Sequence, residues 1–136
     1  MNILLVGNDP LVYAPLLKRM EEEVRIHPLH AGSGAEGLRL ACGTGGAGTG
    51  LAIIEEELVD MSGFELVRQL MHVNPLINTA VIGSMPAGVF HEAAEGLGVL
   101  MQLPPHPGEK DAEALLARFA KISGLMDPEE SGAGKL

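Results

Sequence analysis

The residues with the sharpest chemical content are three consecutive carboxylates, Glu55, Glu56 and Glu57. They follow Leu51–Ile54 (LAII), a short apolar run that reads as a buried strand. A carboxylate at the end of a buried strand is held in a fixed place, where it can bind a cation, accept a transferred group or carry a constant charge. The competing reading is a charge run on a solvated face, and composition alone does not separate the two.

Other candidates are weaker. Gly43, Gly45 and Gly48 spell GxGxxG within residues 43–50. In a dinucleotide site, a strand delivers such glycines to a helix N-terminus, whose amides meet the pyrophosphate. Here the order is reversed, with a helix before and a strand after, so a flexible surface insertion is expected. His27 and His30 lie close in sequence, but no HExxH frame or carboxylate partner surrounds them. His72, His91 and His106 fall in different elements, and surface or structural roles are expected for all five. Cys42 ends a helix, where the dipole does not lower a thiol pKa, and reads as a small buried residue. No GxSxG, Walker or CxxC pattern occurs.

These residues need elements to position them. Asn2–Val6 reads as a strand ended by Gly7 and Asn8, and Asp9-Pro10 as an N-cap pair opening a helix. Pro15 kinks that helix or makes it start near Ala14. A second strand is expected at Val24–Pro28. Ser33 caps a helix running to about Cys42, with Glu36 completing a capping box. Helices are also expected at Phe64 to about His72, Pro86–Glu95 and about Lys110–Ile122. The remaining strands fall at Thr79–Ile82 and Gly98–Leu103. This βαβαβαβαβα alternation implies an α/β flavodoxin-like (βα)5 doubly wound sandwich, a five-stranded parallel sheet of order 2-1-3-4-5. Residues 1–124 form the domain, and 125–136 a polar tail expected to be disordered. Function in such sheets gathers at the C-terminal strand ends: Gly7-Asn8-Asp9, Glu55-Glu56-Glu57, Gly83-Ser84 and Pro104-Pro105.

Composition narrows the partners. In 136 residues, eighteen acids face nine Lys and Arg, for a net charge of −9. Such a chain is a poor ligand for phosphate backbones or anionic membranes. No apolar run approaches the roughly 20 residues of a transmembrane helix, and the first residues do not read as a signal peptide. One cysteine fits a reducing compartment, so the cytoplasm is expected. Aromatics are only 3%, so the core must be aliphatic.

With these residues in place, the chain resembles the receiver domain of two-component response regulators, the chemotaxis-regulator-like fold. The likeness runs over residues 1 to about 124. It is carried by ILLVGNDPLV at 3–12, AGSGAEGLRL at 31–40 and DMSGFELVRQL at 60–70. The family keeps a glycine eight residues after its phosphorylated aspartate; Gly63 in that role makes Glu55 the phosphoacceptor equivalent. The family's acidic pair for Mg²⁺ maps to Gly7 and Asn8, with Asp9 the following acid. Its switch hydroxyl maps to Gly83 or Ser84, and its lysine to Pro105, or to Pro104 with one gap. Its switch aromatic maps to Gln102, and Val59 replaces a usual proline. The family also keeps a cis proline, which implies a cis bond at Pro104 or Pro105.

The departures come as a set. Phosphoryl transfer to a carboxylate needs a metal and a cationic clamp, and here the metal ligands, acceptor and lysine have changed together. The resemblance therefore implies an atypical receiver without the standard phosphorylation cycle, without a Mg²⁺ site or other cofactor, and without enzymatic activity. Glu55 has two readings, a partial phosphoryl mimic or drift from a former acceptor. The implied role is a protein-interaction module in bacterial phosphorelay signalling. It would meet a sensor kinase, another receiver or an effector, or form a homodimer through its fourth helix, fifth strand and fifth helix. That face would draw on Val89, Phe90, Leu100 and Met101. The alternatives are a small flavodoxin-like ligand-binding protein or enzyme, and the N-terminal receiver of a longer regulator.

Overall fold

The computed structural model describes residues 2–23, 25–43 and 49–123. The expected tail at 125–136 and most of the glycine loop, 44–48, lie outside the described residues. Five strands alternate with five helices: β1 (Asn2–Val6), α1 (Ala14–Glu21), β2 (His27–Ala31), α2 (Gly34–Gly43), β3 (Thr49–Glu55), α3 (Gly63–Val73), β4 (Asn78–Ile82), α4 (Ala87–Ala94), β5 (Val99–Leu103) and α5 (Glu109–Ser123). The sheet is parallel throughout, in the order β2-β1-β3-β4-β5. That is the doubly wound arrangement expected from the alternation of elements.

Period-2 alternation sorts the strand residues between two cores. Ile3, Leu5, Leu51, Ile53, Ala80, Ile82 and Leu103 face α1 and α5, meeting Leu16, Met20, Leu115 and Phe119. Leu4, Val6, Ala52, Ile54 and Val81 face the other way, onto Phe64, Leu66, Val67 and Leu70 of α3. Both cores are overwhelmingly aliphatic, as the scarcity of aromatics requires. No helix among the described residues is long and apolar enough to cross a membrane.

Several local expectations are met by identifiable bonds. Asp9 accepts from the Leu11 amide at 3.0 Å and caps a 3-10 turn, Pro10–Tyr13. The α-helix proper starts at Ala14, which keeps Pro15 in its first turn, where no backbone bond is lost. Ser33 accepts from the Glu36 amide at 3.1 Å, as expected of the cap, but the reciprocal half of the box is shifted by one residue, Glu36 accepting from Gly32 N at 2.8 Å rather than from Ser33 N. Ser62 caps α3 by accepting from Glu65 N at 3.1 Å.

Three expectations are corrected. The second strand lies at His27–Ala31, three residues later than Val24–Pro28. As an edge strand it buries only Ala31 fully, so the apolar run before it is a misleading guide, and pairing with Asn2–Val6 sets its place. Cys42 is exposed rather than buried. The neighbouring Ala41 is the one turned into the core, and the next residue on a helix points about 100° away. No peptide bond among the described residues is cis, so Pro104 and Pro105 are both trans. The loop after β5 contains instead a positive φ of 58° at His106.

Candidate functional site

Register brings the ends of β1, β3 and β4 level. Val6 pairs with Ile54, Ile54 with Val81, and Glu55 with Ile82. The residues just beyond, Gly7-Asn8-Asp9, Glu55-Glu56 and Gly83-Ser84, therefore share one edge. Successive side chains leave a strand on opposite faces. Ile54 faces α3, so Glu55, the next residue, leaves toward the α1/α5 face, and Glu56 toward the other.

Each glutamate lies over a glycine on a neighbouring strand. A Cβ on Gly7 would collide with Glu55 Oε2 and lie 2.5 Å from its Cδ and 2.9 Å from its Cγ. A Cβ on Gly83 would collide with Glu56 Oε1 and lie 3.1 Å from its Cδ. Neither glycine has a positive φ, so room for the glutamate, not backbone freedom, is what both positions supply. Gly63 serves a third close approach. Its Cβ would strike the Glu55 carbonyl oxygen and lie 3.2 Å from Glu56 Cα, because the N-terminus of α3 sits directly on the end of β3. The Gly63 amide donates to Glu56 O at 2.7 Å.

The surroundings of Glu55 set its charge. The nearby backbone amides of Asn8 and Asp9 favour its ionised form. Burial works against that, Asp9 adds repulsion, and the carboxyl is held above the usual glutamate range. His30 pulls weakly in the stabilising direction. Oε2 is buried without a hydrogen-bond partner, as is the phenol oxygen of Tyr13. Tyr13 is 1% exposed, and burial first, then Glu55 and Asp9, push its hydroxyl pKa upward. The His30 ring lies 6.1 Å from the Tyr13 ring, and its Nε2 is 3.2 Å from Gly7 O.

Glu56 accepts from Ser84 N at 3.3 Å, which ties the β3 end to the β4–α4 loop. Asp60 turns toward α2, accepting from Gly34 N at 2.8 Å and Ala35 N at 3.0 Å. These two bonds cap a helix from another segment and hold the Asp60 carboxyl below its ordinary value. Gln102 forms a two-bond clasp with Met85, accepting from its amide and donating to its carbonyl, both at 2.9 Å.

Of the residues singled out from sequence, Gly7, Asn8, Asp9 and Glu55 come together directly. Gly83 and Ser84 join them through Glu56 rather than Glu55. Pro104 and Pro105 are exposed on the loop after β5. His27 and His30, an odd number of residues apart on one strand, leave it on opposite faces. Among the described residues, no group of three or more His, Cys, Asp or Glu is placed to hold a metal. Sequence reasoning missed Tyr13, the contacts of His30 with Tyr13 and Gly7, the Gly83–Glu56 pairing, the Asp60 cap and the Gln102 clasp. The repeated juxtaposition of glycine and glutamate at strand ends was the available signal for the third of these.

No protein-family model and no curated relative matches the sequence. Solved structures do. A response regulator receiver domain from Clostridium thermocellum superposes with a TM-score of 0.75 at 17% identity, covering 92% of this chain and 98% of that one. The N-terminal domain of an uncharacterized Wolinella succinogenes protein gives 0.74 at 22% identity, covering 92% and 98%. A chemotaxis response regulator of Vibrio cholerae gives 0.72 at 14%, covering 87% and 97%. The strand order, the five flanking helices and these superpositions agree: the chain has the chemotaxis-regulator-like, flavodoxin-like fold of response regulator receiver domains.

Proposed function

We propose that this chain is an atypical receiver domain of bacterial two-component or phosphorelay signalling, which binds a protein partner without being phosphorylated. The observation that carries this reading is the packing of Glu55 into the space over Gly7. An acceptor carboxylate must be ionised and open to in-line attack on a phosphoryl donor. Here one oxygen is buried against Gly7, and burial disfavours the charged form. Gly7 and Asn8 bring no carboxylate to the edge, and Asp9 is engaged in capping. That donor set does not suit Mg²⁺, which needs near-octahedral oxygen ligation with compensating charge. No lysine stands at Pro104 or Pro105 to neutralise a phosphoryl group. Glu55 acts as a filler that fixes the edge rather than as a phosphoryl mimic.

The binding role rests on the α4–β5 side. Val89 is 51% exposed, and α4 buries none of its residues. A groove of about 450 Å³ lies between α4 and β5, bounded by Phe90, His91, Ala94, Val99 and Leu100. A kinase, another receiver, an effector or a second copy of the chain fits this surface class. The reading is tested by incubation with acetyl phosphate and Mg²⁺ followed by intact mass measurement. The expected spectrum is unmodified protein. A phosphoryl adduct mapped to Glu55, Asp9 or Asp60 overturns it.

A further inference from the structure

We propose that Gln102 is a latch that fixes the β4–α4 loop, and through it the position of α4. The helix needs such a device because its own anchorage is slight. It contains no buried residue, whereas α1 buries Leu16 and Met20, and α3 buries Phe64, Leu66, Val67 and Leu70. Its N-cap is Pro86, which forms no side-chain capping bond. On the core side it offers half-buried Phe90, Ala93 and Ala94, with the Phe90 ring 6.2 Å from Phe64. Its last turn closes with a long bond, Glu95 N to Glu92 O at 3.4 Å.

The loop entering α4 is tied at two successive residues. Ser84 is held by Glu56, and Met85 by Gln102. The second tie is the better one, with two bonds of 2.9 Å against one of 3.3 Å. A primary amide presents one acceptor and a donor pair, so it completes both hydrogen bonds of a single peptide residue, as a neighbouring strand would. Glutamate accepts but does not donate when ionised, and methionine does neither usefully. Gln102 stands beside Val81 in the β4–β5 register, so its backbone is fixed by the sheet while its side chain reaches past the strand end. The latch thus transmits the rigidity of the central sheet to the least anchored helix. It holds the α4–β5 face through a tie separate from the Glu56–Ser84 bond.

Residue-resolved amide exchange in the full chain tests this, with Q102M and Q102E against the parent protein. The expected result is exchange at Met85 at least roughly tenfold faster in Q102M, the scale of losing a pair of net-favourable hydrogen bonds. Amides of α4 accelerate with it, while those of α3 and α5 keep their rates. Q102E, retaining the acceptor alone, falls between. Unchanged exchange at Met85 and α4 overturns the proposal, as does equal acceleration in every helix, which marks Gln102 as a general stability residue. If Q102M does not fold, Q102E decides by the same comparison. The measurement involves neither phosphodonor nor partner, so its outcome is independent of the interaction reading.

Discussion

Replacing Gly7 with alanine places a methyl group where the Glu55 carboxylate lies, 2.5 Å from Cδ and 2.9 Å from Cγ, inside normal contact distance. Glu55 must leave its pocket or β1 must shift. Overpacking of this kind costs roughly 1–3 kcal/mol. The glycine-to-alanine change offsets about 0.4–1 kcal/mol by restricting the unfolded chain. A net loss of about 1–2 kcal/mol follows, a sizeable part of the ~5–15 kcal/mol that holds a typical domain together. With a urea dependence of ~1–3 kcal/mol per molar, the midpoint falls by on the order of 1 M. The chain has no tryptophan, so far-ultraviolet circular dichroism is the suitable signal. The decisive comparison is G7A in an E55A background. With the carboxylate gone, the added methyl meets no Glu55 side-chain atoms beyond Cβ, and the penalty disappears. The resulting double-mutant coupling is expected at about 1–2 kcal/mol, within the ~0.5–3 kcal/mol range for contacting residues. Gly88 provides the control, since a Cβ there meets nothing within 4 Å, and G88A on helix α4 is expected to be neutral or stabilising. Simple additivity of G7A and E55A, or a G7A variant as stable as the parent, refutes the interlock.

The twin pairing predicts that G83A displaces Glu56 and loosens Ser84, read as faster amide exchange at that residue; in an E56A background, which already lacks the Glu56–Ser84 bond, G83A adds no further acceleration. The pH dependence of Glu55 has a definite sign. Its folded pKa is raised, so the native state binds the extra proton, and stability falls as pH rises from the ordinary glutamate range, about 4.3, through the folded value. E55Q removes that dependence, so urea midpoints of E55Q relative to the parent should improve from pH 4 toward neutrality; a constant difference contradicts the assignment. Asp60 works the opposite way. Its folded pKa is lowered, so its capping contribution is present above the ordinary aspartate range and lost as pH falls through the folded value. D60A is expected to speed exchange at Gly34 and Ala35 and to leave α3 and α5 unchanged. Protection retained at both amides would remove Asp60 from the cap.

The fold was readable because its signals are local and repeated. ILLV and LAII are buried on both faces, as central parallel strands must be, and α2, α3 and α4 start just after Ser33, Ser62 and Pro86. The edge strand was misplaced because exposure on one side erases that signature: HPLHA carries two histidines and a proline, and only its pairing with β1 locates it. At the site, Gly7, Asn8, Asp9 and Glu55 were legible because they lie at strand ends fixed by register. The fit of Glu55 over Gly7 was not, since it depends on which way a flexible side chain turns. The Asp60 cap and the Gln102 clasp were illegible for a related reason. Their partners, Gly34–Ala35 and Met85, belong to other segments and offer only backbone groups, which leave no mark on residue identity.

We propose that the Glu55 edge is filled from within and takes no phosphoryl group. Titration of the ¹⁵N-labelled chain with beryllofluoride and Mg²⁺, a phosphoryl surrogate that needs an open carboxylate and a bound metal, tests it most directly. Amides of residues 7–9, 55–56 and 83–85 are expected to keep their resonance positions throughout. Saturable shifts centred on Glu55, spreading to Ser84 and Met85, would contradict it.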